Sequence, residues 1–341
     1  MYQTAMQLEP IDPETAVELY LADREAEVAK ATLYSHSSRL GHFVRWCGEE
    51  GISNLNELTG RTLHEYRLWR RQDGDLAPAT EKTQMDTVRV FVKWLESIDA
   101  VTPDLHTKVR SPVLRGSDNV RDVMLEADRA KVVLDYLTKY EYASRPHVVL
   151  TLMWHTMMRT GAIHSLDVDD YDSDGQFISV IHRQETGTTI KNRADGERLI
   201  ALSDEVCQLL DDWIETQRSE TKDEFGREPL ISTPDGRAHR STLRGDCYRY
   251  TRPCVSTGKC PHNRSPDECD AMKYTTAYEC PSSVSPHALR RGGITHHLSS
   301  DVPKDVVSDR ANVTPSVLDE HYDRRNQRER MEQRRKYLSN I

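Results

Sequence analysis

The stretch "SVSPHALRRGGITHHL", residues 284–299, sets His287 three positions before Arg290, one turn apart on a helix, with Arg291 following. Alone, such a pair reads as an exposed basic patch. Other side chains of suitable type lie far away in the chain: Arg159 in "TMMRTGAIHSLDVDD", Lys191 in "TTIKNR" and Tyr322 in "VLDEHYDRR". Guanidinium forks stabilise charge on oxyanions. Lysine and histidine move protons, and a tyrosine oxygen can act as a nucleophile. The set could therefore transfer a charged ester group, provided the fold brings it together. Each member also has a plainer reading. Arg159 could cap a helix C-terminus. Lys191 could be a solvated turn residue, with Lys222 or Arg193 competing for its role. Tyr322 could be a core residue, although its charged neighbours speak against burial of the hydroxyl.

The elements that must position these groups are mostly helices. Pro13 opens one, with Ala16, Val17 and Tyr20 at helical spacing. A second, from Ala31 to Glu50, puts Leu33, Leu40, Val44 and Cys47 on one face. A third, "ELTGRTLHEYRLWRRQ", combines Leu63, Tyr66 and Leu68 with Arg61, Arg67, Arg70 and Arg71. Pro78 opens a fourth, striped by Val88, Phe91, Val92 and Leu95. Residues 1–100 thus read as a helical bundle. Residues 101–120, with two prolines, a glycine and few apolar residues, read as a linker, and 121–341 as a second domain. Helices resume over 125–140 and 148–158. Then "QFISVIHRQ" and "RLIALS" read as a β-hairpin with a long turn carrying Lys191.

The chain of 341 residues has a net charge of -9, which taken alone argues against nucleic acid. The distribution argues otherwise. Residues 1–36 hold seven acidic and two basic residues, 237–264 one acidic and seven basic, and 324–341 two acidic and seven basic. Arginine outnumbers lysine by 34 to 12, which with the acidic total suggests a salt-rich cell. No apolar run is long enough for a bilayer, and the start "MYQTAMQLEP" has no signal-peptide pattern. A cytoplasmic protein is the expectation.

Arginine after a helix, lysine in a hairpin, His-x-x-Arg and a late tyrosine follow one another in order, and 35 residues separate His287 from Tyr322. In these motifs the chain resembles the tyrosine recombinase (phage integrase) family over nearly its whole length. The resemblance implies a mainly α fold with a small β-sheet: a helical (SAM-like) core-binding domain, then a catalytic domain. It also implies that Arg159 and Arg290 hold a scissile DNA phosphate and Tyr322 attacks it, leaving a 3′-phosphotyrosyl bond. Lys191 would protonate the departing 5′-oxygen, while His287 takes the tyrosine proton or holds the phosphate. No cofactor is implied for catalysis. Double-stranded DNA would be the partner, clamped between the two domains, with a monomer in solution or a tetramer in the synapse. Arg61, Arg67, Arg70, Arg71, Arg249 and Arg252 are candidate DNA contacts, Arg291 a phosphate or structural one. The basic helix after Tyr322 would dock on a neighbouring subunit or on its own.

Two positions depart from the family pattern. Val313 stands where a histidine or tryptophan is usual, nine residues before the tyrosine, leaving Asn312 or His321 as substitutes. Ala162 stands where an acidic residue often holds the arginines. These departures keep open a DNA-binding regulator with impaired catalysis. A type IB topoisomerase shares the nucleophile chemistry. Between hairpin and His287 lies a cysteine-rich insertion, 247–280. Cys254, Cys260, Cys269 and Cys280 are enough thiolates for a structural zinc, with Cys247 and His262 as substitutes, although no Cys-x-x-Cys pair is present. This insertion looks most like that of haloarchaeal members.

Overall fold

The computed structural model describes residues 8–114, 123–323, 325, 327–335 and 338. The chain divides into two compact units, Met1–Arg121 and Asp122–Ile341.

The first unit is built from α1 (Pro13–Arg24), α2 (Lys30–Glu50), α3 (Gly60–Asp73) and α4 (Pro78–Ser97). Local chemistry sets their ends. The Asp12 carboxylate accepts from Thr15 N ahead of Pro13, Gly51 closes α2 in the left-handed region at φ 71°, and Thr59 and Thr62 form a capping box on α3. Val88, Phe91, Val92 and Leu95 are all buried, as their spacing predicts, against Tyr20, Phe43, Trp46 and Tyr66. Leu68 instead faces outward, 40% exposed. The expected linker begins later than its composition suggests. Val101, Leu105 and Val109 are buried in the core of this unit, and Arg89 donates to Val109 O and Ser111 Oγ, both at 2.8 Å. Of the residues read as linker, 115–120 lie outside the described residues.

The second unit opens with α5 (Ala127–Tyr140), α6 (Arg145–Thr156) and α7 (Thr160–Ser165). An antiparallel sheet follows, β1 (Tyr171–Asp172), β2 (Phe177–Val180) and β3 (Arg198–Ala201), in that spatial order, with Ile178 opposite Ile200. Then come α8 (Asp204–Asp212), the ribbon β4 (Ser232–Thr233) and β5 (Gly236–Arg237), α9 (Arg240–Tyr250) and α10 (Pro253–Thr257). The last helices are α11 (Pro286–Ser299), α12 (Lys304–Ala311), α13 (Pro315–Val317) and α14 (Gln327–Arg335). Helix α6 is the axle, packed against both α9 and α11. Val148, Val149, Leu150, Leu152 and Met153 are all buried, so the helix is enclosed on several sides rather than along one stripe. Among the described residues no helix is long and apolar enough to cross a membrane.

The "RRGG" of the opening stretch has a packing reason. A Cβ on Gly292 would sit 2.0 Å from Leu125 O, and one on Gly293 would sit 2.8 Å from Trp154 O, so α11 lies on backbone that admits no side chain. Gly292→Ala is expected to cost about 3 kcal/mol through overpacking, read as a fall in Tm; an unchanged Tm would refute this packing.

Three arginines and three aspartates fasten the long β2–β3 turn to its surroundings. Arg183 donates to Asp170 at 2.9 Å, Arg227 and Arg237 to Asp223 at 2.9 and 2.8 Å, and Arg237 also to Asp167. Their charges are matched, three to three.

His147 in α6 is 4% exposed. Its Nδ1 accepts from Ala143 N at 3.3 Å, so the ring proton sits on Nε2, facing Thr138 Oγ1 at 3.3 Å. Burial holds its pKa down to about 4. The folded state therefore binds the proton less readily than the unfolded chain, and stability present above pH 6.5 is lost as pH falls towards 4. We expect about 2 kcal/mol to be lost between pH 7 and pH 5, with a shallower decline in His147→Gln. Parallel Tm-against-pH curves for the two proteins would contradict this.

Candidate active site

Helix α6 stops at Met157, whose backbone is left-handed at φ 56°. Arg159 therefore sits not at a helix C-terminus but at the N-cap position of α7. Its side chain crosses to α12 and donates to Asn312 O at 3.0 Å. Ser285 caps α11 and Pro286 occupies its first turn, setting His287 and Arg290 on one face. Arg290 is 1% exposed; it donates to Met157 O and, at 2.6 Å, to Ala311 O. Burial, then repulsion from Arg159, pulls its pKa down to about 10.

Tyr322 ends a wide turn, Leu318–Tyr322, after α13. It is 5% exposed, contrary to the expectation from its charged neighbours. The turn sends Asp319 and Glu320 to solvent and Leu318 and Tyr322 inward, onto Met157, Ile294 and Leu298. The ring is not lost in apolar surroundings. The Arg290 guanidinium carbon lies 5.6 Å from its centroid and the His287 ring 5.7 Å away, and the phenol lies within electrostatic reach of Arg159. Four of the five scattered residues thus meet around one phenol.

The fifth is close by. Lys191 is exposed in the β2–β3 turn and lines a hollow of about 250 Å³ shared with Arg159, Ala162, Arg198, Arg240 and Asn312. The turn is held in place by Asn312, whose carboxamide accepts from Asn192 Nδ2 at 3.2 Å and donates to Gly196 O at 3.5 Å. A Cβ on Gly196 would meet Lys191 O at 2.3 Å, so only glycine permits this turn. Of the competitors for the lysine role, Lys222 lies elsewhere, beside Glu228 at 3.7 Å, and Arg193 is exposed in the same turn without lining the hollow.

Arg198 and Arg240 escaped the reading of the sequence. Arg198 starts β3, and burial followed by repulsion from Arg159 brings its pKa down to about 10. Arg240 starts α9 and donates to Thr189 O at 3.4 Å. In the sequence nothing separates either from a solvated arginine. Val313 is buried with Tyr322 and Leu318, and Ala162 lines the hollow, so neither departure is replaced in place by a polar group. The side chain of His321 lies outside the described residues.

Several expected DNA contacts are otherwise engaged. Arg70 is 5% exposed and donates to Gln84 Oε1 at 2.8 Å and Asp73 at 3.1 Å. Arg67 and Arg71 share the buried Glu81, at 2.6 and 2.9 Å. Arg252 is 2% exposed, donating to Arg249 O and Ala271 O. These arginines hold the protein together, because each reaches an acceptor distant in sequence. Arg61 and Arg249 are exposed. Arg291 is buried and donates to Val123 O at 2.9 Å, a structural contact.

The cysteine insertion does not form a closed metal centre as it stands. Cys254, Cys260, Cys269 and Cys280 are free and half-buried, and among the described residues no three His, Cys, Asp or Glu side chains converge to hold a metal ion. Cys247 is fully buried with its sulfur 3.4 Å from that of Met153, and burial pushes its thiol far above the usual range. His262 is engaged with Ser282 Oγ at 2.9 Å. Metal content of the purified protein decides whether the four thiols close on an ion.

Known proteins resemble this chain in sequence and in fold. The tyrosine recombinase XerD of Bifidobacterium longum is 22% identical over 200 residues, 58% of this chain and 60% of its own length. The chain thus matches less than two thirds of that relative. The Tn1549 transposon integrase, solved with a circular intermediate DNA, superposes with a TM-score of 0.67 over 97% of this chain and 100% of that one, at 13% identity. The lambda integrase tetramer on a Holliday junction gives 0.61 over 94% and 80%, at 14% identity. These solved structures establish the shared fold. A sequence model of the phage integrase family matches residues 124–314, more than half of the chain, and the chain belongs to that family.

Proposed function

We propose that this chain is a site-specific DNA recombinase that cuts and rejoins strands through a phosphotyrosyl link on Tyr322. The observation that carries the reading is the gathering of Arg159, His287 and Arg290 around the Tyr322 ring, beside a hollow lined by Lys191. In this reading the Tyr322 oxygen attacks phosphorus and its proton passes to His287. The bond from phosphorus to the 5′-oxygen breaks, and Lys191 protonates that oxygen. Arg159 and Arg290 stabilise the charge that builds on the non-bridging oxygens. The ester energy stays in the protein–DNA bond, so rejoining needs no nucleotide. Duplex DNA is the substrate and a tetramer the working assembly, as in the lambda integrase complex. The setting is a salt-rich cytoplasm, where screening favours close contacts over long-range attraction.

The test uses nicked duplexes tiled from the DNA flanking the gene. A Tyr322-dependent covalent protein–DNA band supports recombination. Relaxation of plasmid lacking any such site would move the assignment to a topoisomerase. A second reading, a DNA-binding regulator with impaired cleavage, is favoured by the apolar Val313 and Ala162. Sequence-specific binding with no covalent band would establish it.

A further inference from the structure

The second unit holds two groups of arginines with opposite electrostatics. Arg183, Arg227 and Arg237 are matched by Asp167, Asp170 and Asp223. Arg159, Arg198 and Arg290 lie within electrostatic reach of one another; among the described residues none of them makes a salt bridge, and Arg198 has only the longer-range attraction of Asp309. Arg159 and Arg198 line one hollow together with Lys191, and the buried Arg290 adds to the repulsion, so an anion entering there would relieve it. A phosphate is such an anion.

Within that group Arg198 is aimed in a particular way. Its Nε donates to Arg310 O at 3.0 Å and its Nη1 to Gly196 O at 2.9 Å. Two backbone carbonyls from different elements thus fix the plane of the guanidinium, and no hydrogen-bond partner for Nη2 is found among the described residues. The hollow lined by Arg198 is the one that also takes in Arg159 and Lys191. Asn312, next to Val313 in the chain, has both ends of its carboxamide engaged by the Lys191 turn.

We infer that Arg198 contacts the scissile phosphate through Nη2 and supplies the hydrogen bond that Val313 cannot. This rests on the phosphotyrosyl reading for its substrate, but its anion contact can be tested without DNA. The probe is inorganic phosphate against chloride at equal ionic strength, read as the gain in Tm of the intact protein. Wild type is expected to gain, Arg198→Gln to lose at least half of that gain, and Arg264→Gln, an exposed control, to keep it. Because the readout is an increment, a variant with a lower starting Tm still reports. Should the glutamine variant fail to fold, Arg198→Lys carries the test, since an ammonium cannot hold two carbonyls and a phosphate in the geometry of a fork. A wild-type phosphate increment in either folded variant overturns the inference.

With cleavable DNA, Arg198→Gln is expected to slow covalent-complex formation about a hundredfold while leaving DNA affinity nearly unchanged. On a substrate whose scissile linkage is an uncharged methylphosphonate, that deficit should shrink by about an order of magnitude. An equal deficit on both substrates would mean a structural role only. If the phosphate increment depends on Arg198 but wild type forms no Tyr322-dependent band, the recombinase reading falls and the anion contact stands.

Discussion

Tyr322→Phe is expected to abolish the covalent protein–DNA band on a cleavable nicked duplex, a loss of roughly 10⁴-fold or more in the rate of strand cleavage. The substitution removes one oxygen and little else. The ring would keep its place against His287 and Arg290, and the Tyr322 carbonyl would still accept from Thr295 Oγ1, at 2.8 Å in the present structure. Tm and DNA affinity should therefore stay close to wild type, and gel-shift and melting curves belong beside the cleavage assay. A band that survives in the variant would place the nucleophile elsewhere. Loss of the band together with loss of DNA binding would show the tyrosine to be part of the binding surface.

Arg290→Gln comes next in size. The guanidinium is almost wholly buried, and two of its donors hold Met157 O and Ala311 O. It therefore ties the end of α6 to the end of α12 as well as facing the phenol. Removing one fixed donor from a reacting phosphate is expected to cost about 10² to 10³ in single-turnover cleavage. Stability should move less than such a buried residue suggests. The two carbonyls lose partners worth about 1 kcal/mol each, while an unmatched buried charge disappears. The measurement pairs the rate of covalent-complex formation with Tm. Wild-type cleavage alongside a large drop in Tm would assign Arg290 to the fold alone.

The sequence was informative where regular geometry governs. The stripe Val88, Phe91, Val92 and Leu95 named the buried face of α4, because a helix converts spacing directly into direction. The two halves of the hairpin were legible from alternation, and Ile178 pairs with Ile200. Irregular geometry hid the rest. Val101, Leu105 and Val109 sit in a proline-containing segment that looks like a tether, yet three apolar side chains four apart are enough to lay it on the bundle. Arg70 and Arg252 read as exposed because arginine usually is, and their acceptors, Gln84 Oε1 and Ala271 O, are separated from them in sequence. The charged neighbours of Tyr322 point to an exposed side chain, but a turn of this width brings Leu318 and Tyr322, four apart, to the same inner side while Asp319 and Glu320 face solvent. Arg198 carried no local mark at all; only the crossing of β3 with the end of α12 makes it a member of the site.

Asn312 joins two parts of the candidate site. Its main-chain oxygen seats Arg159, and its carboxamide clasps the loop bearing Lys191. In the proposed mechanism, proton delivery and charge neutralisation consequently share a single rivet. On that reading, slackening it would disarm both together, and the architecture would avoid a protein poised to break a strand but unable to cap the freed end.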